Sequence, residues 1–150
     1  MLQAKKAFAK ADHLVYITYP MVKEAKLLFA AVNSLNTALQ KSLEFLLNHE
    51  YAYKQQSPIP KDLNSRLLIY KNYCKKYGFD PKVEDLIREI ARIIKARKNS
   101  PIEFTRKHKF VICSDDYRMR VIEEKTIKKY LIISRSFISQ VEAHINGWRR

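Results

Sequence analysis

Arg97 is the residue of this chain best placed to do chemistry. It follows Ile90 and Ile94 on a segment with helical spacing, and at about 100° per residue it falls on the same buried line. A guanidinium on an apolar stripe cannot shed its charge and needs an acceptor. In a groove between helices that acceptor is a phosphate or a scissile phosphodiester. The structural alternatives are a carboxylate, or solvent reached past the helix end, where the dipole also favours a cation. Arg106, Lys107, His108 and Lys109 follow in a row, with Glu103 the only acid between Arg97 and Lys109. Such a run neutralises several phosphates. His108 adds a group able to move a proton near neutral pH, to or from a ribose hydroxyl or a leaving oxygen. Glu103, once paired with Arg97, has a lowered pKa and makes a weak base and a poor acid.

Other residues extend this surface. Arg88, Arg92 and Lys95 share the opposite, exposed face of the same helix and add non-specific attraction. Asn36 and Gln40 lie at the edge of an earlier apolar stripe, where they face the groove beside Arg97 or bond to a neighbouring helix. Tyr70, Tyr73, Tyr77, Phe104 and Phe110 are rings on which unpaired bases stack. At helical spacing tyrosines also serve as half-buried packing residues with a wet hydroxyl.

Composition narrows the alternatives. Lys and Arg number 29 against 15 Asp and Glu, a net charge of +14, which points to a polyanion or an acidic partner. No Gly-rich phosphate loop, HExxH pair or GxSxG elbow is present. Cys74 and Cys113 lack CxxC spacing, and Asp115-Asp116 after Ser114 reads as a helix start, so neither a metal nor a cofactor is expected. No apolar run is long enough to span a bilayer, and the first residues lack the apolar core of a signal peptide. A cytoplasmic protein without a membrane partner is the expectation.

The positioning elements are read as helices. With 47% hydrophobic residues, 2 Gly and 5 Pro, the chain has a core and few turns, which favours an all-α fold. A short helix is expected within residues 1–16, over about Leu2 to Val15, as a lid or dimer element. A long one starts at Tyr19-Pro20 and runs to about Gln55, with Ala25, Leu28, Val32, Leu35, Leu39, Leu43 and Leu46 on one stripe. A third spans about Asp62 to Tyr77, closed by Gly78. A fourth starts from Asp80-Pro81, carries Val83, Leu86, Ile87, Ile90, Ile93 and Ile94, and ends near Lys98. Ser100-Pro101-Ile102-Glu103 fits a capping box and predicts a helical turn through Phe104, followed by an extended or irregular Lys109–Cys113. The last helix covers about Glu123 to Asn146 and is stopped by Gly147. The result is a single domain over residues 1–150, an antiparallel four-to-five-helix up-and-down bundle over residues 20–146.

Over residues 22–146 this pattern resembles the HEPN superfamily, the nucleotide-binding helical bundles of higher eukaryotes and prokaryotes. Ala38 to Leu47 is similar to an early helix of that family, and Arg97-Lys98-Asn99 falls where its members carry an Arg followed by a polar residue. The resemblance implies a homodimer that binds RNA or nucleotides, or one that partners a nucleotidyltransferase. In its ribonucleases, Arg and His meet in a cleft that cuts RNA without metal. Here the slot for that His, residues 102–104, holds Ile102, Glu103 and Phe104. The expectation is therefore a non-catalytic bundle that binds RNA or another phosphate-rich ligand. The alternatives are a metal-independent endoribonuclease using Arg97 and His108, and a module that docks an acidic protein.

Overall fold

The structure, a computed structural model, describes residues 1–54, 58–100, 102–106, 108–113 and 118–148. It is mostly helical. Its helices are α1 (Leu2–His13), α2 (Tyr19–Val22), α3 (Lys26–Lys54), α4 (Leu63–Tyr77), α5 (Lys82–Lys98) and α6 (Glu124–Trp148). A π-helical turn, Leu14–Thr18, joins α1 to α2. Three strands, β1 (Ile102–Arg106), β2 (Lys109–Cys113) and β3 (Met119–Ile122), lie between α5 and α6.

Five helices, α1, α3, α4, α5 and α6, contribute to one core. The pairs Lys5–Glu142 and Asp12–Arg135 lay α1 antiparallel along α6. Phe79, just before α5, packs on His144 of α6, and further along α5 Glu89 bonds Arg120 just ahead of α6, so these two are also antiparallel. α1 packs most extensively on α3, which also lies against α6 and α5. Leu28, Val32, Leu35, Leu39, Leu43 and Leu46 of α3, all at most 1% exposed, form its central rod. α1 is thus a structural member rather than a lid: its Ala4 and Ala11 are buried, as is Val15 in the turn that follows.

Local chemistry sets the helix ends. Asp62 caps α4 by accepting the Ser65 amide at 2.8 Å, and Gly78 closes it at φ 71, a left-handed conformation that costs glycine nothing. Asp80 accepts the Lys82 amide at 2.9 Å and so starts α5. Two expected boundaries differ. The second helix breaks at Lys23, φ 58, so α2 is a separate single turn and α3 begins at Lys26. Gly147 does not stop α6, which continues to Trp148, because an isolated glycine costs a helix only about 1 kcal/mol.

The larger departure is the sheet, which makes the fold mostly rather than wholly helical. The expected helical turn through Phe104 is strand β1, paired antiparallel with β2 in the register Glu103↔Ile112, Phe104↔Val111 and Arg106↔Lys109. β2 pairs in turn with β3, with Val111↔Val121 and Cys113↔Met119. The supposed cap residue Ser100 instead donates its hydroxyl to the Cys113 carbonyl across the hairpin's open end. β-Branched and aromatic residues at 102, 104 and 105 suit a pleated strand better than a first helical turn. Phe110, Ile112 and Ile122 bury one face of the sheet against the bundle.

At the other end of the bundle Glu50 is 3% exposed. It meets His144 Nε2 at 2.8 Å, the Tyr77 hydroxyl at 3.1 Å and the Lys54 ammonium at 3.7 Å. Burial pushes this carboxyl up, but the hydrogen bonds from His144 and Tyr77 and the charges of His144 and Lys54 outweigh it, leaving it below the usual 4.5. A carboxyl depressed in the folded state stabilises the fold above its unfolded pKa, and that contribution is lost as pH falls through the folded value. Glu50→Gln is expected to cost about 2 kcal/mol at neutral pH. In urea denaturation the deficit should shrink as pH drops below 4.5; a deficit independent of pH would show that the charge plays no part.

Candidate nucleic-acid interface

The buried line of α5 runs through Ile90 and Ile93 and delivers Arg97 to the last turn, where α5 meets the start of α3 and the edge strand β1. The guanidinium lies over the Phe29 ring at 4.1 Å from its centroid and 5.7 Å from that of Phe110. Its Nε donates to Glu103 Oε2 at 2.9 Å, with both side chains about a third exposed. The Arg97 hydrogen bond and charge, with Lys26 nearby, hold the Glu103 carboxyl below its ordinary range. An open groove of about 410 Å³ runs beside this pair, lined by Phe29, Asn33, Ile94, Arg97, Lys98 and Glu103. Asn36 and Gln40 lie one and two turns further along the same line of α3 and do not line it; Asn33 takes that place.

The cations divide into paired and unpaired sets. Arg88 is held by Glu84 at 3.0 Å and by Asn64 at 2.8 Å. Arg92 meets Glu89 at 3.4 Å, and the same carboxylate takes Arg120 at 3.1 Å. The expected exposed stripe is therefore largely neutralised. Lys95 remains exposed at its end, and among the described residues neither it, Lys98, Lys26 nor Arg106 forms an ion pair.

The hairpin carries the rest of the basic run. Lys107 lies outside the described residues. Arg106 and Lys109 face each other across β1 and β2, and Lys109 also reaches Glu123 at 3.2 Å. His108 sits in the connecting turn at φ 61, exposed, with its carbonyl accepting the Tyr19 hydroxyl at 2.9 Å. Among the described residues no hydrogen bond or ring contact joins Arg97 to His108.

The aromatic residues separate just as clearly. Tyr70, Tyr73 and Phe110 are core residues, and the Tyr70 and Tyr77 hydroxyls serve Asp80 and Glu50. Phe104 alone of these rings stands exposed on the sheet, at 41%. It shares the outward face with Val111, Val121 and Met119, which border a shallow cavity of about 300 Å³ together with Arg106 and Lys109. Sequence reasoning missed this surface. Its only signals were the alternation in 102–106 and the short apolar run over 110–113, each too short to separate strand from helix or turn unaided.

Among the described residues no cluster of three or more His, Cys, Asp or Glu side chains is placed to hold a metal. In comparison with known proteins, the chain matches no family model, no curated protein and no solved structure.

Exposed ion pairs and exposed cation–π contacts each contribute little. Arg97→Ala is thus expected to lower stability by no more than about 1 kcal/mol in urea denaturation. A larger loss would make Arg97 a structural cation.

Proposed function

We propose that this protein binds RNA or a similarly phosphate-rich ligand at the sheet-bearing end of its bundle, without cutting it. The observation that carries this reading is the state of Arg97. Its guanidinium lies over the Phe29 ring, its Nε is occupied by Glu103, and neither Nη bonds a described residue. A guanidinium so oriented offers two parallel N–H donors to a phosphate. Lys26 and Lys98 stand beside it without ion-pair partners among the described residues, and Glu103 is the one acid among the described residues that line the groove. The resemblance to HEPN bundles agrees with an RNA ligand. The lack of a bond or ring contact between Arg97 and His108 among the described residues favours binding over cleavage.

Exposed lysines occur elsewhere, Lys71 and Lys75 on α4 among them, so a local site must be distinguished from a diffuse field. In fluorescence anisotropy at fixed salt, Arg97→Ala should weaken RNA binding by about tenfold. Lys75→Ala should weaken it by about twofold or less. Glu103→Gln, which removes the competing carboxylate, should tighten it. Equal losses for Arg97→Ala and Lys75→Ala would reduce the site to general electrostatics. Cleavage of RNA in EDTA that disappears in His108→Ala would overturn the non-catalytic reading. Purification with a stoichiometric acidic protein and no nucleic acid would favour a docking module instead.

A further inference from the structure

We infer that the outward face of the three-stranded sheet is a stacking platform for unpaired bases, so that the ligand is single-stranded. The inference rests on the polyanion reading above and names its substrate class. An antiparallel sheet with one face on a core ordinarily turns polar side chains to water on the other. This one turns outward Phe104, Val121 and Met119, which are 41%, 47% and 65% exposed, over Val111. An apolar patch of this kind, rimmed by polar groups, marks a surface made to be covered.

Charge complementarity identifies what covers it. Arg106 and Lys109 stand side by side on the same face, two strand residues, about 7 Å, from the Phe104–Val111 pair. A ring beside two cations matches a nucleotide unit: the base lies over the Phe104 ring and the adjoining phosphate meets Arg106 and Lys109. Lys109 then exchanges its exposed partner Glu123 for a phosphate oxygen. A paired duplex keeps its base faces stacked inside and cannot use such a ring. The Arg97 groove opens on the helix-facing side of the same edge strand, since Glu103 and Phe104 alternate across β1. A strand crossing β1 therefore meets a phosphate clamp on one side and a base platform on the other.

The test uses the full chain and a mixed-sequence 12-nucleotide probe as single-stranded RNA, single-stranded DNA and duplex RNA, read by anisotropy. Single strands should bind at least about tenfold more tightly than the duplex. Phe104→Thr, which keeps a strand-forming residue, should weaken single-strand binding by about tenfold and leave duplex binding unchanged. Phe104→Tyr should retain the affinity of the parent. Arg106→Ala should lower the slope of log affinity against log salt by about 0.7, whereas Phe104→Thr should leave the slope alone. Comparable single-strand and duplex affinities, with Phe104→Thr affecting both or neither, would overturn the platform while the Arg97 effect upheld the polyanion reading. Failure of every probe to bind would overturn both. A change in oligomeric state on Phe104→Thr, without a change in RNA affinity, would assign the face to a second copy of the chain and overturn the inference. A 2′-hydroxyl contribution would appear as RNA binding above DNA, and equal binding would mean that stacking and phosphates suffice; both support the platform.

Discussion

The packing of Phe110 on Phe29, with ring centroids 5.8 Å apart, is the joint on which the functional end of this protein depends. Phe110 lies on the central strand and Phe29 in the first turn of the longest helix, so the contact fastens the sheet to the bundle. Ile112 and Ile122 extend the same seam into the core. Arg97 lies across both rings. One aromatic pair thus sets where the sheet sits, where the guanidinium lies, and how wide the groove between them opens. Burying a Phe side chain stabilises by about 2–3 kcal/mol, well above any surface ion pair here. Apolar packing fixes this geometry, and the charges decorate it.

The neutralisation of cations is uneven, and that unevenness gives a very basic chain some directionality. Glu84 and Glu89 occupy Arg88, Arg92 and Arg120 along the middle of α5. Among the described residues, the last turn of the same helix has a carboxylate only for Arg97, borrowed from β1. Uniform positive charge would attract polyanions everywhere with no preference in orientation. A helix compensated along its length and uncompensated at its tip concentrates the field where the rings and backbone edges also lie.

Much of the fold could be read from residue spacing, and the exceptions share a cause. The stripes of α3, α5 and α6, the Asp80 start signal and the Gly78 terminus are local patterns, and each holds in the structure. The sheet depends on pairing between segments that are individually ambiguous. Ser100 to Glu103 carries the residues of a helix cap, yet the hydrogen bonds a cap would supply are outmatched by a full ladder with Lys109–Cys113. The break at Lys23 had no glycine to announce it. At the site, Arg97 and its relation to Glu103 were legible because both lie close in sequence and differ in charge. Phe104 and Phe110 read alike in sequence but have opposite fates, one in water and one in the core, because strand alternation separates them.

The turn at Lys23 has a reach beyond its own backbone. By ending α2 after a single turn it leaves Tyr19 buried beside the hairpin, where burial, with the Glu124 charge, raises the phenol's pKa and keeps it a donor to the His108 carbonyl. The two residues are 89 positions apart. The loop bearing the basic run is consequently tethered from outside its own sheet. The N-terminal arm acts as a guy-line on that loop, and sequence drift at the junction ahead of the longest helix would be felt as altered slack among the cations.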